Sequence, residues 1–323
     1  MAPGASYAQA ACAALAYAMA QDERVVALGE DLGRGGIFGQ YLGLQQRFGA
    51  ERIIDTPISE ATLMGAGVGM ALAGLKPVVE MRVVDFALCA MDEIVNQAAK
   101  ARFMFGGQGR VGLVARLPIG IWASSAAQHS QSLEAWFAHI PGLVVVCPAT
   151  AQDNHDLLLA ALDSGDPVIY LEHKELWAQC DATRLPDLPT AAAQLGHARL
   201  RRRGRDLTIV SWSRQVHVAL AAATLLAEQG LAAEVIDLAT IWPWDRKTVL
   251  ESASRTGHLL VTHEAVQVAG FGAEIAATAA EATGCRVRRL GAPRIPVGYA
   301  PNLEAVSRVS AAQVAAAARE LIG

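Results

Sequence analysis

Asp55-Thr56-Pro57-Ile58-Ser59-Glu60, followed by a glycine- and alanine-rich run over 61–74, is the stretch from which the rest of the chain is read. Arg52-Ile53-Ile54 has the apolar character of a short buried strand, Pro57 breaks it, and Ser59 suits the N-cap of a helix beginning at Glu60. That helix carries Gly65, Gly67, Gly69, Ala71 and Ala73. A carboxylate at a helix start lies in the favourable end of the helix dipole. Glu60 therefore has two readings: an ordinary first-turn acid, or a carboxylate placed for a ligand. The glycines favour the second, because each costs helix stability and marks close approach of another backbone or a ligand. Gly65-Ala66-Gly67-Val68-Gly69 is not a dinucleotide fingerprint, since the third glycine and the strand-turn-helix placement are missing.

Upstream, 7–21 has helical periodicity, and Val25-Val26-Ala27-Leu28 reads as a buried strand ending at Gly29-Glu30-Asp31. Gly33, Gly35, Gly36 and Gly39 then make a loop before a helix near 42–48, at the kind of strand end where ligands bind in open parallel sheets. It lacks the Lys-Ser/Thr ending of a P-loop. Downstream, strands are expected at 77–81, 111–116, 143–147 and 167–172, with helices at 88–103 and 152–164. Near-continuous apolar strands alternating with helices argue a parallel sheet covered on both faces. The segment 174–205, with Pro186, Pro189 and an arginine-rich run at 199–205, breaks the rhythm and reads as a connection. A second α/β unit follows, with strands at 207–212, 234–238, 259–262 and 286–290 and helices near 214–229, 245–255, 272–283 and 303–321. The fold class is α/β in two domains, 1–185 and 206–323, joined by a linker at 186–205.

A length of 323 residues, 53% of them hydrophobic and 18% charged, suits a large core divided between two domains. A net charge of −4, with the one basic run in the expected linker, leaves no nucleic-acid footprint. No window reaches the roughly 18 uninterrupted apolar residues of a membrane span, and no leader pattern opens the chain, so a cytoplasmic protein is expected. The five cysteines (12, 89, 147, 180, 285) form no C-x-x-C pair and read as buried thiols rather than disulfides or a zinc site.

Three residues besides Glu60 suit chemistry. Phe86, just past the strand ending at Glu80-Met81, is placed either to stack on a planar ring or to fill core. His129, in the polar loop Ala127-Gln128-His129-Ser130-Gln131, is a better general acid/base candidate than a histidine on an apolar helix face. Glu30 stands at a strand end. His263-Glu264 lacks a further metal ligand and reads as a polar pair at a strand end.

Asp55-Thr56-Pro57-Ile58-Ser59-Glu60, Phe86, Asn96-Gln97-Ala98-Ala99-Lys100, Gly106-Gly107, Ala127-Gln128-His129-Ser130-Gln131 and Pro141-Gly142-Leu143 closely resemble the beta subunit of thiamine-diphosphate-dependent 2-oxo acid dehydrogenases. So do Ala233-Glu234-Val235-Ile236-Asp237-Leu238 and Gly270-Phe271-Gly272-Ala273-Glu274, and the resemblance runs in order through essentially the whole chain. Val84-Asp85-Phe86, Met104-Phe105-Gly106-Gly107 and His129-Ser130-Gln131-Ser132-Leu133 look most like acetoin dehydrogenase beta chains.

The resemblance implies a pyrimidine-type parallel-sheet domain followed by a transketolase C-terminal-like domain. It implies that Glu60 hydrogen-bonds the cofactor's aminopyrimidine and favours the imino tautomer that removes the thiazolium C2 proton. It further implies that Phe86 packs on the pyrimidine, that Glu30 and Ile58 contact the cofactor, and that His129 handles substrate or acyl intermediate. The family holds the diphosphate through Mg²⁺ on a Gly-Asp-Gly motif ending in Asn-Asn on an alpha chain. No such motif occurs here, Gly165-Asp166-Pro167 being the nearest approach, so an α₂β₂ heterotetramer with a cofactor shared with the alpha chain is implied. A potassium site of the family kind falls on Leu113, Ala161, Leu162 and Asp166, although Ser164 stands where an aspartate is common. The implied reaction is decarboxylation of a 2-oxo acid, or cleavage of acetoin, with acyl transfer to a lipoyl-bearing acyltransferase.

Two other functions remain open. One is a split transketolase-like carboligase passing the acyl unit to an aldehyde. The other is a non-catalytic assembly partner, disfavoured by the joint presence of Glu60, Phe86 and His129. Departures from the family pattern cluster near the expected pocket: Cys89 for a frequent glutamine, Leu117 for a glycine, Ala239-Thr240-Ile241-Trp242 for a run usually beginning with arginine, and Arg82 for an apolar residue. Arg82 is placed either to receive an anionic group or to pair with Asp85 or Glu80. The substrate stays open.

Overall fold

The computed structural model describes residues 4–180 and 194–323. These fall into two compact units, one from Met1–Ile119 with Trp136–Leu195, the other from Gly120–Ala135 with Gly196–Gly323. Pro186 and Pro189 of the expected connection lie outside the described residues.

In the first unit α1 (Tyr7–Gln21) starts at a capping box between Ser6 and Gln9, which satisfies backbone donors that the first turn leaves unbonded. The strands are β1 (Val25–Gly29), β2 (Ile53–Asp55), β3 (Lys76–Glu80), β4 (Val114–Arg116), β5 (Val144–Val146) and β6 (Val168–Tyr170). They are ordered β5–β6–β4–β3–β1–β2, with every neighbouring pair parallel. All the carboxyl ends therefore share one edge, which carries Gly29, Asp55, Glu80, Arg116 and Tyr170. The helices are α2 (Leu44–Phe48), α3 (Glu60–Leu72), α4 (Ala99–Met104), α5 (Glu134–Ala138) and α6 (Ala151–Asp163).

Three local expectations in this unit are corrected. Ser59 is the N-cap of α3, but its hydroxyl donates to Thr62 Oγ1 at 2.9 Å instead of accepting from the helix backbone. Of the α3 glycines only Gly67 is demanded by a neighbour: a Cβ there would stand 2.5 Å from Val79 Cγ2, whereas at Gly69 it would meet nothing within 4 Å. The stretch 88–103 is not one α-helix. Val84–Ala90 is a 3₁₀ turn, Glu93–Ala98 is π-helical, and α4 follows. Asp92 binds both Asn96 Nδ2 at 2.6 Å and Gln97 Nε2 at 3.2 Å, so one carboxylate spans the i+4 and i+5 positions of the widened turn.

The second unit is built on β7 (Arg199–Arg202), β8 (Leu207–Ser211), β9 (Ala233–Asp237), β10 (Thr240–Trp242), β11 (His258–Val266) and β12 (Arg286–Ala292), with a sheet ordered β12–β11–β8–β9–β7. Its pairs are parallel except β7 with β9. Arg199–Arg202, expected in a solvated connector, is thus an edge strand; Arg201 Nη2 holds the fully buried Asp237 at 2.8 Å, which sets it against β9. Helices α7 (Gln215–Ala227), α8 (Arg246–Thr256), α9 (Gly272–Thr283), α10 (Pro301–Val306) and α11 (Ala311–Ile322) complete the unit. The single helix expected at 303–321 is two, because Ser310 and Gln313 form a capping box that starts a new one. Alanine, leucine and valine side chains of α7 and α11 pack on β8 and β9 as one core.

The cysteines are all free thiols; Cys147 is buried, whereas Cys89 and Cys180, expected to be buried, are exposed. Among the described residues no helix is long and apolar enough to cross a membrane.

Candidate active site at the carboxyl edge of the first sheet

The strand ends of β3 and β4 face each other in register as Glu80 and Arg116. Arg116 is fully buried and its Nη2 lies 2.5 Å from Glu172 Oε2, while its Nη1 lies 3.5 Å from Glu80 Oε2. Asn154 Nδ2 donates to the other Glu172 oxygen at 2.7 Å. Tyr41 OH donates to Glu80 Oε2 at 2.8 Å and Gln40 Nε2 to Oε1 at 3.3 Å, so the tail of the glycine-rich loop is fastened to the sheet edge. Burial pushes the Glu80 carboxyl up to about 7; Arg116 opposes that shift and the nearby Glu172 adds to it. Sequence reasoning missed this cluster. Its signal was present: charged residues terminating otherwise apolar strands.

In front of it, Glu30, Gly36, Ile37, Gln40, Glu80 and Arg82 line a cavity. Gly36 and Gly39 have φ values of 70° and 78°, the left-handed region where glycine is free of strain. Gly33 N–H donates to Asp55 Oδ1 at 2.9 Å, which ties the start of this loop to the end of β2 and assigns Asp55 a holding role. The Glu30 carboxyl is raised by burial, lowered by Arg82 and raised again by Glu60 and Asp31. Those charges are therefore near neighbours of Glu30. Among the described residues the Glu60 carboxylate, at the first position of α3, has no hydrogen bond or ion pair. Ile58, two residues earlier, is 73% exposed, unusual for a large apolar side chain. Phe86 is half-buried on the 3₁₀ turn that follows β3.

Glu30, Ile58, Glu60 and Phe86 thus belong to the first unit, whereas His129 belongs to the second. His129 is exposed, on a loop in which Ala123, Ser124 and Ala126 have positive φ. The loop is anchored within its own unit: Ile121 N–H donates to Glu264 Oε1 and Ser124 N–H to Glu304 Oε2, each at 2.7 Å. Glu264, expected as one half of a strand-end polar pair, is an anchor of this loop. His263 is fully buried, stacked on Trp212 with ring centroids 5.2 Å apart, and hemmed in by Gly270, Gly272 and Gly291. Burial holds its pKa at about 4, so it is a neutral packing histidine at pH 7.

Residues 4–179 match the family model described as the transketolase pyrimidine binding domain, and residues 196–314 match the transketolase C-terminal domain. The chain is 40% identical to the acetoin:2,6-dichlorophenolindophenol oxidoreductase subunit beta of Cupriavidus necator, over 94% of this chain and 93% of that one. It is 38% identical to the 2-oxoisovalerate dehydrogenase subunit beta of Bacillus subtilis, over 98% of both. The chain belongs to the transketolase-like family of dehydrogenase beta subunits. A further beta-subunit relative, of the pyruvate dehydrogenase E1 component of Rhizobium meliloti, is 40% identical over 93% of this chain and 66% of that one. A solved structure described as a split gene transketolase, inactive beta4 tetramer, superposes with a TM-score of 0.81 at 22% identity, over 99% of this chain and 98% of that one, and shows the shared fold.

Three residues of the potassium set that the resemblance implies, Leu113, Ala161 and Asp166, carry oxygens that accept hydrogen bonds within the chain. The Leu113 carbonyl accepts from Val168 N–H at 2.9 Å and that of Ala161 from Ser164 N–H at 3.3 Å. The Asp166 carboxylate is held by Arg102 Nη1 at 2.6 Å, and its carbonyl accepts from Ser164 Oγ at 2.9 Å.

Proposed function

We propose that this chain is the beta subunit of a thiamine-diphosphate-dependent 2-oxo acid or acetoin dehydrogenase, working in an α₂β₂ assembly with an alpha chain that supplies the Mg²⁺-diphosphate half of the site. The observation that carries the reading is the Glu60 carboxylate, fixed at the start of α3, without a hydrogen bond or ion pair among the described residues and beside the cavity that Glu30 and Arg82 line. The residues suit the thiamine end of the cofactor. Glu60 offers an anionic acceptor to a protonated ring nitrogen, Phe86 an aromatic face, and Ile58 an apolar contact that is exposed in the chain by itself.

When bound, thiamine diphosphate supplies the carbon nucleophile and electron sink for cleaving the bond next to a carbonyl. Glu60 holds the proton of the aminopyrimidine ring nitrogen, and Glu30 shapes the cavity's charge. His129, on its anchored loop, moves a proton at the substrate oxygen or the acyl unit. The acyl unit passes to a lipoyl disulfide of an acyltransferase, and the working place is the cytoplasm.

The test is purification of the chain with its alpha partner, cofactor titration, and a lipoyl-dependent assay over pyruvate, branched 2-oxo acids and acetoin. Glu60→Gln is expected to keep assembly and lower kcat by about a hundredfold or more, the ordinary weight of a positioned acid or base. Near-wild-type turnover of that variant defeats the role of Glu60. Cofactor binding without any transfer to lipoyl, but with transfer to an aldehyde, identifies the carboligase instead.

A further inference from the structure

Arg82 stands at a bend just past β3; its neighbours Met81 and Val83 are buried, while Arg82 itself is exposed. The bend is held on both sides of Arg82: Met81 N–H donates to Arg116 O at 3.1 Å and Val84 N–H to Pro118 O at 2.8 Å. A cation is therefore presented from rigid backbone into the cavity lined by Glu30, Gly36, Ile37, Gln40 and Glu80.

The acids that the sequence offered as partners do not neutralise it. Glu80 is committed to Gln40, Tyr41 and Arg116, and no ion pair joins Arg82 to Asp85 among the described residues. Among the described residues Arg82 makes no ion pair and no hydrogen bond, although its charge is felt by Glu30. A guanidinium in a cavity, with all its donors unused, matches the planar, two-pronged geometry of a carboxylate better than any apolar or neutral group.

We propose that Arg82 is a specificity-determining residue that receives a second carboxylate on the substrate, so that the preferred substrate of this chain's complex is a dicarboxylic 2-oxo acid. The assignment rests on the function proposed above and narrows its substrate class. The carboxylate adjacent to the oxo group is lost in the reaction, and the distal one stays paired with Arg82 throughout.

The experiment uses the complex of the full chain with its alpha partner. The ratio of kcat/KM for 2-oxopentanedioate to that for 2-oxopentanoate is measured in the wild type, in Arg82→Met and in Arg82→Lys. The wild-type ratio is expected above one, with Arg82→Met lowering it by about a hundredfold, as loss of a hydrogen-bonded charge pair does, and Arg82→Lys restoring part of it. Calorimetric titration with pentanedioate, which has no oxo group to react, is expected to show binding to the wild-type complex and none to Arg82→Met. Arg82 is exposed, so both variants are expected to fold as the wild type does, and circular dichroism of both checks it. A ratio unchanged by substitution overturns the assignment while leaving the enzyme reading intact. Equal loss on both substrates with weakened thiamine diphosphate binding also overturns it, placing Arg82 on the cofactor. A complex that binds no cofactor and cleaves no 2-oxo acid defeats both readings.

Discussion

Glu80 shows how a single residue at a strand end couples stability to the site. It shares the fully buried Arg116 with Glu172, and its carboxyl is pushed up to about 7. An acid whose folded pKa lies above its unfolded value binds more protons in the folded state, so stability falls as pH rises between the two. For Glu80 that window runs from the ordinary carboxylate value of 4.5 to about 7. Urea unfolding between pH 5 and 7 is therefore expected to show a declining stability component in the wild type that Glu80→Gln removes. An unchanged slope in the variant shows that Glu80 is ionised throughout. His263 titrates in the opposite sense: its pKa of about 4 means that its contribution is lost as pH falls from 6.5.

At the scale of elements, α3 separates packing from helix propensity within one turn. Gly67 lies against Val79 of β3, and a Cβ there would stand 2.5 Å from a methyl of a fully buried, stiff side chain. Gly69 has open space. Gly67→Ala is expected to cost about 1–3 kcal/mol through overpacking, against a helix-propensity gain of at most about 1 kcal/mol. Gly69→Ala is expected to stabilise the isolated chain by about 0.5–1 kcal/mol. Chemical denaturation of both variants reads the difference, and equal effects contradict the packing account. The same contrast explains what was legible. Apolar runs such as 77–81 and 207–212 gave the strands because burial dictates their composition. The π-turn at Glu93–Ala98, the break at Ser307–Ser310 and edge strand β7 were not legible as such, because they depend on side-chain bonds and pairing partners that periodicity does not encode.

For the whole molecule, sequence motifs pointed to Glu30, Ile58, Glu60, Phe86 and His129 individually, and the fold sets the first four in one unit with a charged cavity. The Arg116 cluster and the anchoring of the His129 loop were invisible, since Ile121 and Glu264 lie 143 positions apart and Ser124 and Glu304 lie 180 apart. What the chain lacks in sequence is the Gly-Asp-Gly run ending in Asn-Asn that the resemblance assigns to an alpha chain. The diphosphate carries most of the cofactor's charge, and under the proposed assignment the thiamine end meets only Glu30, Ile58, Glu60 and Phe86 of this chain, too few contacts to bind tightly by themselves. A ligand that binds only the folded form stabilises it by RT ln(1 + [L]/Kd). Thiamine diphosphate with Mg²⁺ is therefore expected to leave the melting temperature of the isolated chain unchanged. In the alpha-containing complex, a hundredfold excess over Kd is expected to add about 2.7 kcal/mol of stability. A comparable shift for the chain alone would mean that it holds the whole cofactor, and the shared site would have to be abandoned.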